Sequence, residues 1–397
     1  MANTLKFGNG QWATKVGSTL AFNDEGGNFK PLPFNFTRST GGTRVNKDGL
    51  IEVITNNKPR IDFKDDSNGA LLLEPLRNNY IPYSTLDFNG GSSPQGWSIG
   101  FGTGTYSYEQ LEYKGQKAVK QTQITTGRSY LDTGSISILA DTEHTLKVQF
   151  ILDECVADDD DIIATFIGFG NDGSYRFSDI DANGVLEIQY NPLSDNVGNL
   201  RIGLGCGGNE DGGKSLAWAI PQLEAGSYAT SYIPTQGAIS TRVVESFTTS
   251  LPDIASFNSS NGFSVISKFG IGNAGSGTSA PFISFNDDTS NTYIGFGSNS
   301  SNFRCRLNLN GVAYLNTQDN AQRTQENSLF VSCDANGWSQ GANGVTNYTG
   351  NNDASIYNKL SNITYISAEV YGVIKIKELS VYNTRLTDQE LINLTTI

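Results

Sequence analysis

The 397-residue chain has one histidine, His144, and one methionine, and these two scarcities bound its chemistry early. A single histidine excludes an H-E-x-x-H metal site and most histidine-dependent base chemistry. Cations are also sparse, 27 Lys and Arg against 40 Asp and Glu, for a formal charge of −13. Nucleic-acid backbones and anionic membrane surfaces are read by clustered cations, so the expectation is no nucleic acid among the partners and no membrane insertion. No run of about 18 apolar residues occurs to form a spanning helix. No opening segment joins a charged start, an apolar run and a cleavage site, so a chain made without a secretion signal is expected. Cys155, Cys206, Cys305 and Cys333 are spread too widely for close zinc-ligand pairs or a small disulfide scaffold, and they read as buried free thiols.

What is abundant points to strands and turns. Gly 44, Tyr 17 and Phe 21 are the profile of short pleated segments separated by tight turns. At about 150 residues per domain the length predicts two or three domains. Leu146, Val148, Phe150 and Leu152 alternate with Lys147 and Gln149, the clearest half-buried strand in the chain. No stretch has helical periodicity over a helix length. The predicted fold class is all-β, with two antiparallel jelly-roll sandwiches preceded by a small β adapter and an N-terminal arm.

The expected boundaries are an arm over 1–33, an adapter over 34–83, a first sandwich over 84–237 and a second over 238–397. The arm reads as a segment that docks on a neighbouring subunit or as a loose terminus. In the adapter, Arg38, Arg44, Arg60 and Arg77 are dense for so acidic a chain, and Glu52, Asp62 and Glu74 are available to pair with them. Near the end, Ile374 and Ile376 share one strand face while Leu379 and Val381 have the opposite parity, which predicts a bulge near Lys377 and Glu378. Thr387 and Glu390 have the spacing of a capping box for a short helix.

Several motifs match by letter and fail by context. Gly203, Gly205 and Gly208 spell G-x-G-x-x-G, and Gly208 to Ser215 spells a P-loop, but Pro221 leaves no room for the helix whose amides would face a phosphate. A Gly-rich loop between strands is expected instead. Gly337 to Gly341 matches G-x-S-x-G without a histidine base in the same sandwich, and reads as a β-turn. Asp179 to Gly184 opens like an EF-hand loop, but Tyr190 stands where the bidentate Glu is required, so a turn before a strand is expected. Asp158, Asp159, Asp160 and Asp161 are a solvated loop tip or a source of calcium ligands. Sugar binding asks for aromatic rings beside amides and carboxylates. Trp97, Tyr106 and Tyr108 qualify in the first sandwich, and Trp338, Gln340, Asn343 and Tyr348 in the second, although such residues also serve as core. No catalytic residue is expected; two carboxylates set across a sugar would be the alternative, that of a glycan-degrading depolymerase or glucanase on the same scaffold.

The passage QLEAGSYATSYIPT followed by Thr241-Arg242 resembles the closing segment of carbohydrate-binding-module-like domains in bacteriophage tail and fibre proteins. TRVNKDGLIE, PRIDF and LLLEPLRNN resemble a segment found in phage virion proteins ahead of a lectin-like domain. The strand and short terminal helix at the end resemble concanavalin-like or laminin-G-like lectin domains. These resemblances imply a virion structural protein, a fibre, spike or decoration made in the host cytoplasm. They further imply glycan contact at the host surface, attachment to other virion proteins through the N-terminal arm, and a homotrimer. Jelly-roll modules of this kind often carry a structural calcium ion; no other cofactor is implied.

Overall fold

The computed structural model describes residues 4–16, 18–23, 28–193, 196–250, 262–272, 281–286, 293–298, 302–309, 312–322, 326–334, 336–351, 362–366, 372–382 and 384–397. The chain is nearly all β in antiparallel sheets, consistent with jelly-roll folds, with one α-helix of eight residues among the described residues. It divides into two units. One comprises Arg77–Arg242 with Leu50–Glu52; the other gathers Met1–Gly49, Val53–Leu76 and Val243–Ile397. The first is therefore an insertion in the sequence of the second. Its first and last strands, Arg77–Asn79 and Ser240–Arg242, pair with each other in register Arg77 to Arg242.

The inserted unit is a sandwich of two sheets. In the five-stranded sheet the order is Tyr106–Tyr113, Gln116–Gln123, Ser215–Ala225, His144–Phe150 and Val185–Tyr190. The other runs Ser98–Phe101, Ser129–Asp132, Asn196–Ile202, Ile162–Ile167 and Gly173–Arg176, with Ile136–Ile138 also on Asn196–Ile202. Alternation sends Leu146, Val148, Phe150 and Trp218 from one sheet, and Leu131, Ala164, Phe166 and Ile202 from the other, into a single core. Each large apolar side chain buried there contributes about 1.5–3 kcal/mol. Pro221 sits inside a strand, which is tolerated because Ile220 and Pro221 together face Val148 in a bulge where the ladder register shifts. Ile220 has φ +46°, a strained value for a β-branched residue.

In the other unit the strand Val373–Tyr382 pairs along one edge with Phe263–Gly272. Its other edge is shared by Thr4–Gly8, opposite residues 378–382, and Ala70–Leu73, opposite residues 374–376. Phe263–Gly272 continues to Glu326–Cys333, Gly337–Ala342 and Val345–Asn351. Further strands pair Ser246–Ser250 with Asn362–Ile366 and Asn28–Thr37. The separate arm expected over 1–33 is thus corrected: its strands take up hydrogen-bonding edges within this chain. The expected break between 83 and 84 is also displaced, since the adapter residues up to Leu76, Leu50–Glu52 excepted, belong with the C-terminal strands.

The bulge near Lys377 is present: Lys268 faces Glu378 and Phe269 faces Ile376, leaving Lys377 as the extra residue. By this device Ile374, Ile376, Leu379 and Val381 are all buried despite their parity. Thr387 and Glu390 form the capping box, the Thr387 amide donating to Glu390 Oε2 at 2.8 Å and the Glu390 amide to Thr387 Oγ1 at 3.3 Å. Cys155, Cys206 and Cys333 are free thiols, and burial raises the pKa of Cys155 and Cys206; the side chain of Cys305 lies outside the described residues.

Candidate functional site

The aromatic residues singled out by sequence are mostly structural. Trp97 is buried in the sandwich core, donates its indole N–H to the Tyr83 carbonyl at 2.7 Å and meets Trp218 edge-to-face at 5.2 Å. It is a core residue rather than a sugar platform. Tyr106 and Tyr108 are half-buried and edge-to-face at 5.7 Å, with Tyr108 packed against the core. Burial raises the Tyr108 phenol. In the other unit Trp338 and Gln340 are buried, and Gly337–Ala342 is a strand, which corrects the β-turn expected for Gly337 to Gly341. Asn343 has φ +52° and is followed by Gly344 at +77°, the Asn-Gly pair of a tight hairpin turn. Its carboxamide accepts from Ser328 N and donates to Asn327 Oδ1, both at 2.9 Å. Tyr348 faces Gln340 in the ladder, and its side chain lies outside the described residues.

The acidic run folds around a lysine. Asp158, Asp160 and Asp161 bring carboxylate oxygens within 4.8 Å of one another. The ammonium of Lys214 reaches Asp161 at 2.5 Å, Asp158 at 3.0 Å and Glu210 at 3.2 Å. Desolvation would raise the Asp161 carboxyl, but the Lys214 hydrogen bond and the Asp158 amide hold it below the ordinary range; Glu210 is raised by desolvation and by Asp161. A side-chain cation thus stands among the oxygens a metal would use. Asp159 is exposed, and its carbonyl accepts from the Ser178 amide at 3.1 Å. Lys214 is the lysine of the P-loop look-alike, whose last residue, Ser215, already opens a strand rather than a helix, as Pro221 required. The Asp179 to Gly184 look-alike is a turn in which Asp181 accepts from the Asn183 and Val185 amides at 2.9 and 2.8 Å.

A more coherent constellation lies on the outer face of the six-stranded sheet. Asp132, Arg201, Thr165 and Ser174 are successive cross-strand partners, one row over four strands. Their neighbours Leu131, Ile202 and Ala164 point into the core, so alternation turns this row outward. Tyr130 has Gly100 as its partner and stands diagonal to Arg201. A Cβ at Gly100 would fall 2.1 Å from the Tyr130 ring, so the ring lies across the neighbouring strand where only glycine leaves room. Two guanidinium carbons lie over that ring, Arg201 at 4.8 Å and Arg128 at 5.5 Å from its centre. Arg128 is fixed by donating Nε to the Gly205 carbonyl at 2.8 Å and a terminal nitrogen to the Cys206 carbonyl at 3.1 Å. Asp132 accepts from Arg201 Nε at 3.0 Å, from Asn199 Nδ2 at 2.7 Å and from the Gly134 amide at 2.9 Å. The Thr165 hydroxyl is buried with no partner among the described residues.

None of these residues was legible as a site in sequence, because 128–132, 165 and 199–201 meet only through strand pairing. The usable signal was Tyr130 and Asp132 at alternate positions with Leu131 between them. Chemically, the face joins half-buried aromatic surface to guanidinium, carboxylate, amide and hydroxyl groups.

Among known proteins, no family model and no curated protein matches the chain. Solved structures share a partial likeness. The carbohydrate-binding domain CBM40 of the Ruminococcus gnavus IT-sialidase, bound to α2,3 sialyllactose, matches at TM-score 0.30 and 18% identity, covering 37% of this chain and 88% of that one. Domain 4 of AbnA, a GH43 extracellular arabinanase of Geobacillus stearothermophilus, in complex with arabinotriose, matches at TM-score 0.30 and 15% identity over 43% of this chain and 84% of that one. The binding domain of botulinum neurotoxin DC, in complex with rat synaptotagmin II, matches at 0.30 and 12% over 38% and 40%. Likeness of this size carries nothing about what this chain binds.

Proposed function

We propose that the inserted sandwich is a glycan-contact unit and that the chain is a virion structural protein of a tailed bacteriophage, displaying this unit at the host surface. The observation that supports the glycan reading is the outer face bearing Tyr130, Arg128, Arg201, Asp132 and Asn199. Aromatic surface takes the apolar side of a sugar ring, and planar guanidinium and amide groups take its oxygens. The resemblance of the pieces within 43–79 to a segment of phage virion proteins, and of 222–242 to phage tail and fibre proteins, supports the virion assignment and, with it, attachment to other virion proteins and assembly as a trimer. The role proposed is binding rather than bond cleavage.

Full-length protein on a glycan array of host-surface polysaccharides tests the binding reading: retention on defined glycans is expected, and silence across the array would sink it. The virion assignment is tested separately by mass spectrometry of purified particles, where absence of the chain would defeat it.

A further inference from the structure

The geometry points to an acidic saccharide as the ligand of the Tyr130 face, its carboxylate held by Arg201 and Arg128; this rests on the glycan reading above. The inference comes from how the polar groups are committed. Asp132 spends its oxygens on three donors, Arg201 Nε, Asn199 Nδ2 and the Gly134 amide, at 2.7–3.0 Å. It is therefore a positioning residue that fixes the Arg201 guanidinium by one nitrogen. The two terminal nitrogens of Arg201 have no partner among the described residues, and its side chain is 23% exposed. Arg128 has no carboxylate partner among the described residues; its bonds go to two carbonyls and leave one terminal nitrogen uncommitted.

Two guanidiniums against one carboxylate leave a surplus positive charge on this face, in a chain whose formal charge is −13. Solubility alone gives no reason to concentrate cations there. Both guanidiniums lie within 5.5 Å of one ring centre, so an anion and a sugar ring attached to it can be met together. Arginine presents paired N–H donors that match the two oxygens of a carboxylate, whereas a neutral hydroxyl uses one of them. Thr165, the cross-strand neighbour of Arg201 in the same outward row, is buried and closes the floor of the face beside it.

The carboxylate can come from a hexuronate or from a sialic-acid-type sugar, and the test separates these. Full-length protein is titrated with hyaluronan, polygalacturonate and polysialic acid, each also after chemical reduction of its carboxyls to alcohols. A neutral glycan panel runs in parallel. At least one acidic polymer is expected to bind, with its reduced form roughly tenfold to a hundredfold weaker, the range for losing charge-assisted hydrogen bonds. Arg201→Gln and Arg128→Gln should each weaken the acidic polymer by about tenfold or more and leave the reduced form nearly unchanged. Gly100→Ala, which displaces the Tyr130 ring and keeps both charges, should weaken acidic and reduced forms alike. Thermal unfolding of each variant establishes that it is folded. Equal binding of native and reduced polymers, or binding confined to neutral glycans, would overturn the acidic ligand and leave the glycan reading standing. No binding by any polymer or panel glycan would remove both.

Discussion

Arg60 and Glu245, 185 residues apart in sequence, are both fully buried and joined through two hydrogen bonds, Arg60 Nε to Glu245 Oε1 at 2.9 Å and a terminal nitrogen to Oε2. Arg38 donates to the same Glu245 at 2.6 Å, and Glu74 meets Arg60 at 2.8 Å. Of the pairings expected for the adapter arginines, Arg60 with Glu74 is present; Arg38 takes Glu245 instead, a partner that sequence proximity did not reveal, while Arg44 donates to the Ile61 carbonyl at 3.3 Å and Arg77 lies over the Tyr228 ring. Burial opposes the Arg60 charge, but Glu245 and Glu74 outweigh it and raise its pKa. The cluster ties residues before the insertion to the first residues after it, within one unit.

Glu245→Gln is expected to destabilise the unit containing it by about 3–5 kcal/mol, the cost of leaving buried guanidiniums without their acid. Denaturant unfolding measures this; a loss under about 1 kcal/mol would mean the cluster is solvated in solution.

His144 gives the inserted sandwich an acid limit. Its ring is buried, with Nδ1 2.6 Å from the Thr142 carbonyl and Nε2 without a partner among the described residues. Desolvation lowers its pKa despite the Thr142 contact. A depressed base binds its proton more weakly in the folded state, so its contribution is present above the unfolded value of about 6.5 and is lost as pH falls below it. Thermal midpoints from pH 8 to pH 5 should fall across that window, and His144→Gln should flatten the fall. An unchanged slope would place the acid sensitivity elsewhere.

Lys214 predicts a calcium response. With its ammonium among Asp158, Asp161 and Glu210, millimolar calcium should leave the thermal midpoint of the native chain almost unmoved. Lys214→Met removes that cation, should lower stability through carboxylate repulsion, and should make the midpoint rise with added calcium. A strong calcium effect on the native chain with none in the variant would contradict this account.

The all-β class, the bulge at Lys377 and the capping box at Thr387 were readable because each rests on local rules: alternation, parity and a three-residue spacing. The insertion was not readable. Thr4–Gly8 finds its partner at residues 378–382, and no local pattern encodes a pairing across that distance. Trp97 looked like a platform because ring type does not distinguish core from surface; its place against Trp218 does. Tyr130 was missed for the converse reason, since its meaning comes from Gly100, Arg128 and Arg201 gathered around it.

The most direct test of the central claim is hydrogen–deuterium exchange of the full-length protein with and without a glycan that the array shows it to bind. Protection is expected in Ser98–Phe101, Ser129–Asp132 and Asn196–Ile202, the strands that carry the Tyr130 face. Protection confined to the Gly337–Ala342 hairpin, or none in those three strands at saturating glycan, would contradict it.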